Sequence, residues 1–92
     1  METEELINYC KSRKKAYTFY MSSLKDVKTK LEFNNLADEL FSDIFDDESL
    51  IFEETNKPCA KPVYELLISV RHSYNVVLDL FEKYCVLHNF NE

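Results

Sequence analysis

Ninety-two residues, 46% of them hydrophobic and 30% charged, allow one domain with one core. The chain has no glycine and no tryptophan, which excludes the glycine-rich phosphate loops and dinucleotide turns where the backbone must approach a ligand closely. A net charge of −6 opposes binding to a polyanion, and no apolar run approaches the ~18 residues that would span a bilayer.

Thr3 followed by Glu4 and Glu5 opens the first helix, with a hydroxyl cap and acids at the positive end of the dipole. Leu6, Cys10, Tyr17, Tyr20, Leu24, Val27 and Leu31 then alternate in spacings of three and four, with Arg13 the one polar member of the series. The pattern predicts one helix over residues 4–32 with a long buried stripe. Ser23 with Asp26 matches a capping box and supplies the alternative, a break near Ser22 and Ser23.

Asn34 and Asn35 mark the next turn, after which Leu36, Ala37, Leu40, Phe41, Ile44 and Phe45 predict a short amphipathic helix over 36–46. Its outer face carries Asp38, Glu39 and Asp43, and it runs into Asp46, Asp47 and Glu48. Acids at that end oppose the helix dipole, so local electrostatics disfavour the cluster. Residues 47–61 then read as a long loop, pinned once by Leu50, Ile51 and Phe52 and of the length often used for binding. Pro62 suits the first turn of a last helix over 62–88, whose stripe is Val63, Leu67, Val70, Tyr74, Val77, Phe81, Tyr84 and His88, widened by Leu66, Leu78, Leu80 and Leu87. The expected fold is all-α: a small bundle of three to four helices, with two long helices, one short acidic helix and one long loop, in a single domain over 1–92.

The charges fall in blocks. Residues 1–10 carry three acids, and residues 11–31 carry seven bases against Asp26. Residues 32–54 carry nine acids and no base, while residues 55–92 carry four of each sign. Neutralisation between helices across the bundle surface is one explanation. The other is a basic partner, whose surface would offset the mutual repulsion of so many carboxylates. Lys11, Lys14 and Lys15 beside Tyr17 and Tyr20 offer an alternative nucleic-acid reading. The overall charge and the place of both tyrosines in the core stripe oppose it, and no direct nucleic-acid partner is expected.

Candidate chemistry is sparse. Asp43, Asp46, Asp47 and Glu48 lack the alternating spacing and turn glycine of a helix-loop-helix calcium site. Cys85 and His88 are one helical turn apart, and Cys10 would join them as zinc ligands only if the terminal helices were antiparallel. Cys10, Cys59 and Cys85 are an odd set with unequal spacings, read as reduced thiols rather than a disulfide framework. Arg71 and His72 are adjacent, so on a helix they point about 100° apart and do not converge on one substrate. No catalytic residue, metal ligand or cofactor is assigned, and an enzyme is not expected. Phe19, Phe33, Phe52 and Phe90 lie off the main stripes or near helix ends, as satellite core residues or as hydrophobic anchors beside the acidic surface.

In size, glycine-free helical pattern and acidic character the chain resembles bacterial immunity proteins, the small helical bundles that neutralise colicin or contact-dependent-inhibition toxins. The residues that carry this likeness are Asp38, Glu39, Asp43, Asp46, Asp47, Glu48, Glu53 and Glu54. The resemblance implies a cytoplasmic protein, monomeric or homodimeric, that binds a basic toxin nuclease stoichiometrically through residues 38–54. A phage-encoded inhibitor of a host nuclease would have the same format. The reading from another class is a helical adaptor or regulatory protein whose apolar stripes are completed by self-association or by a partner helix. The acidic N-terminal residues, unlike a basic and then apolar export signal, set the expectation of a cytoplasmic location without membrane attachment.

Overall fold

The computed structural model describes residues 2–90, in which three helices follow one another: α1 (Thr3–Leu24), α2 (Lys30–Thr55) and α3 (Lys61–Leu87). Met1, Asn91 and Glu92 of the expected domain lie outside the described residues. Tyr17 meets Tyr74 with ring centroids 5.9 Å apart and Tyr20 meets Phe81 at 6.5 Å, so α1 and α3 run parallel. Tyr20 bonds Asp43 and Tyr9 bonds Asp47, so α2 runs antiparallel to α1. The result is an elongated up-down-up bundle of 45 × 19 × 16 Å. Among the described residues no helix is long and apolar enough to cross a membrane.

Two of the three expected helices have other bounds, while the last, expected over 62–88, spans Lys61–Leu87. The first helix does not continue to residue 32. It ends at Leu24, and five residues, 25–29, make the turn. Val27 keeps its buried place, but as a loop residue whose carbonyl accepts a hydrogen bond from the Tyr84 hydroxyl, while Leu31 is 70% exposed. The break lies just beyond the Ser22 and Ser23 alternative, because the effective cap is Thr29: its Oγ1 accepts from the Glu32 amide at 3.1 Å and donates to the Glu32 carboxylate at 3.0 Å. Thr29→Ala is expected to lower stability by about 1 kcal/mol. A urea midpoint that does not move would show that the cap is not what starts α2.

The second helix is not short, and the loop over 47–61 does not exist at that length. α2 runs from Lys30 to Thr55 and leaves only residues 56–60 as a turn before α3. The expected dipole penalty on Asp46, Asp47 and Glu48 does not arise, because they sit inside the helix and not in the last turn where the negative end of the dipole acts. Tertiary burial then decides. Extended in both directions, the α2 stripe becomes Phe33, Ala37, Leu40, Ile44, Asp47, Ile51 and Glu54, an unbroken alternation of four and three, every member of it buried. α1 contributes Leu6, Cys10, Tyr17, Tyr20 and Leu24 in the same rhythm, and α3 contributes Val63, Leu67, Val70, Tyr74, Val77 and Phe81. Three heptad seams thus close on one another within the chain, in the manner of a coiled coil.

The far end of the bundle is sealed by aromatic rings. With no glycine available, Asn89 takes the left-handed conformation at φ 58° that ends α3. The Phe90 amide then donates to the Cys85 carbonyl at 2.9 Å and the Asn89 amide to Val86 at 3.2 Å, which together form a Schellman motif. This folds Phe90 back against Phe33 and His88 at centroid distances of 5.4 and 5.5 Å.

Candidate functional site on the outer face of α2

The block of nine acids does not form one surface. Asp47 falls on the buried seam of α2, opposite Arg13 on the buried seam of α1, and is 1% exposed. Arg13 Nε donates to Asp47 Oδ2 at 2.8 Å, and the hydroxyls of Tyr9 and Tyr17 donate to the same carboxylate. One turn away, the Tyr20 hydroxyl donates to Asp43 Oδ2 at 2.6 Å. Arg13 Nη2 lies 3.2 Å from that oxygen, a close ionic approach rather than an aligned hydrogen bond. The Arg13 guanidinium also stands over the Tyr17 ring, 5.4 Å from its centroid.

The layer shifts the titration of its phenols and of its guanidinium. Burial raises the pKa of the Tyr9, Tyr17 and Tyr20 phenols, and their hydrogen bonds to Asp47 or Asp43 raise it further. Burial disfavours the Arg13 charge, but the bonds to Asp47 outweigh it, so its pKa rises as well. The layer is an internal ion cluster occupied by its own side chains. Asp47 is therefore corrected from a partner-binding to a structural residue, and Asp43, its side chain 36% exposed, is tied to the same layer while still reaching the surface. Glu54 is corrected with Asp47: it is 6% exposed and lies 3.2 Å from the Lys57 ammonium at the base of the bundle. Hydrogen bonding to Glu54 holds the Lys57 pKa above the ordinary lysine value.

The remaining five predicted residues are exposed and form two stripes. Glu39, Asp46 and Glu53 repeat every seven residues on one side of α2. Asp38 and Glu48 belong to another stripe: Asp38, Phe41, Phe45, Glu48 and Phe52, spaced three, four, three, four, lie within about 80° of arc. Its three phenylalanines are exposed at 56, 72 and 68%. Sequence reasoning assigned Phe41 and Phe45 to the core-facing pattern and left Phe52 open between core and anchor. The signal that separates them is phase. Phe41, Phe45 and Phe52 share a helical face that Leu40, Ile44 and Ile51 do not.

α2 therefore has a second amphipathic seam, directed away from the core. Beside it, Phe33, Ala37 and Phe41 of α2 and Leu78, Phe81 and Cys85 of α3 line an open groove of 830 Å³. Its mouth carries Asp38 and Glu82. Exposed aromatic rings with an acidic border are the composition of a protein-docking surface.

The other candidates separate. Parallel α1 and α3 put Cys10, in the first half of α1, near the opposite end of the bundle from Cys85 and His88, so the three cannot share one ion. Cys10 is fully buried and its thiol pKa is raised by that burial, Cys85 is half-buried, and Cys59 is exposed in the turn before α3. Among the described residues no cluster of three or more His, Cys, Asp or Glu side chains is placed to hold a metal ion. Comparison with known protein families, with curated proteins and with solved structures finds no match.

Proposed function

We propose that this chain is a non-enzymatic binding protein that neutralises a basic protein partner through the outer face of α2, most plainly as an immunity protein for a toxin nuclease. The observation that supports the reading is the exposed stripe of Phe41, Phe45 and Phe52 on a helix whose exposed charges over residues 32–54 are all acidic. Three large rings supply apolar contact area, and Asp38, Glu48, Glu39, Asp46 and Glu53 steer and orient a cationic surface. A nuclease groove is positive because it holds nucleic acid, so an acidic plug occupies the substrate's place. Expected location is the cytoplasm, where such a toxin would act.

The test is capture of the product of the neighbouring gene and rescue of cells from it. Phe45→Ala is expected to weaken binding by about 2 kcal/mol, roughly thirtyfold. Joint charge reversal at Asp38, Asp46 and Glu48 is expected to abolish rescue. All four positions are on the surface, so circular dichroism should be unchanged. Full affinity in both variants would refute the reading.

A further inference from the structure

A second groove lies on the other side of α3, and its chemistry is the inverse of the α2 stripe. It is lined by Thr18 and Met21 of α1, by Lys25 at its C-terminal cap, and by Leu80, Lys83 and Leu87 of α3. Lys11 and Lys14 continue the α1 wall toward the N-terminus, since Lys11, Lys14, Thr18, Met21 and Lys25 share one helical face with spacings of three, four, three, four. The charged residues that line the groove itself, Lys25 and Lys83, are both lysines. The floor is apolar: Leu80 is 39% and Leu87 77% exposed, and Val76 one turn below is 39% exposed. Lys83 touches Asp79 at 3.2 Å, a solvent-exposed pair that is readily exchanged for another carboxylate.

We infer that this groove receives the acidic, phenylalanine-bearing face of α2 from a second copy of the chain. Three properties match. The spacing pattern of the α1 wall, from Lys11 to Lys25, is that of the α2 stripe from Asp38 to Phe52, and each spans about 21 Å. Asp38 and Glu48 stand about 15 Å apart along α2, while Lys14 and Lys25 stand about 16 Å apart along α1, so both carboxylates reach an ammonium at once. Phe41, Phe45 and Phe52 then pack on Met21, Val76, Leu80 and Leu87, with α2 of the second copy lying as a fourth helix against α1 and α3.

The two faces lie on different sides of the same molecule, so the contact is heterologous: each copy offers one stripe and one groove. Such contacts do not close at two copies but continue as an open series. Self-association covers the face assigned above to a foreign partner, so stored protein would hold its binding surface masked and release it on dilution or on competition. The self-contact does not depend on that assignment, because only the groove side is private to it.

Sedimentation velocity from micromolar to millimolar concentration, at low and high salt, tests the inference. The mass is expected to rise from the 11.0 kDa monomer past the dimer, and salt should reverse the rise by screening the lysine–carboxylate pairs. Phe45→Lys disables the stripe, and Lys25→Glu with Leu87→Glu disables the groove. Each variant alone should remain monomeric with unchanged helicity, these positions being exposed. Mixing the two should produce one-to-one dimers and nothing larger, since each retains the face the other lacks. The groove variant should still bind a foreign partner through α2. A wild-type chain that stays monomeric throughout, association that survives the groove substitutions, or a mixture that forms no dimer would overturn the inference.

Discussion

Asp47→Leu should destabilise the protein by about 3–5 kcal/mol, a large share of the about 5–15 kcal/mol that holds a small domain together. The substitution is apolar for polar on a buried heptad position, and on hydrophobicity alone it would be judged favourable. It fails because Arg13 would keep its charge in the interior without the carboxylate that accepts its Nε–H at 2.8 Å. The fully buried Tyr17 hydroxyl would lose its acceptor as well. Replacing the core of the layer, with Arg13→Met, Tyr17→Phe and Asp47→Leu together, removes the buried orphaned groups, leaves Asp43 its bond from Tyr20, and should recover most of the loss. Tyr9 is only part-buried, so its hydroxyl turns to water. Guanidinium denaturation followed by circular dichroism measures both. An Asp47→Leu protein as stable as the wild type would mean that the layer contributes nothing to the fold.

Alkaline pH attacks the same layer from the donor side. Tyr17 and Tyr20 have folded pKa values held above the ordinary phenol value by burial and by their bonds to Asp47 and Asp43. For a group raised in this way, stability is fully present below about pH 10, where the unfolded chain also keeps its proton. Above that point the unfolded state loses protons that the folded state retains, and stability falls with rising pH. With Tyr9 raised in the same way, three phenols set a limit of about 4 kcal/mol lost per pH unit. Tyrosinate absorbance should therefore lag behind model phenols until the helices melt, and then rise with them. Tyr20→Phe should make the fall shallower. Tyrosines that titrate freely in the folded protein near pH 10 would contradict the buried network.

The helical class, and the stripes of α1 and α3, were legible because apolar residues mark them almost without interruption. The α2 stripe was legible only in part, for a definite reason. Two of its seven members, Asp47 and Glu54, are acids within an acidic stretch, and a run of charge is ordinarily a solvated face. Read by phase, the alternation from Phe33 to Glu54 passes straight through them. Arg13 carried the same information, as the polar member of the α1 stripe, and its partner had to lie at an equally anomalous position on a facing helix. The end of the first helix was harder to read. Val27 and Leu31 prolong the periodicity past the true end, and only the Thr29 and Glu32 pair marks the restart of the chain. The exposed phenylalanines were hidden for the opposite reason, since an aromatic residue beside a core position is counted as core until the partner helices are placed.

The seven-residue repeat of α2 also bears on how this sequence can change. One face of the helix is committed to the core and the next presents the phenylalanines. Asn35, Ser42 and Ser49 recur at every seventh position between the phenylalanine stripe and Glu39, Asp46 and Glu53, all exposed and all uncharged. Drift should collect at these positions, where exchanges at the surface usually stay within about 0.5 kcal/mol. A fluorophore at Ser42 or Ser49 would stand beside the phenylalanine stripe without replacing any of its members, and would report on whatever covers it.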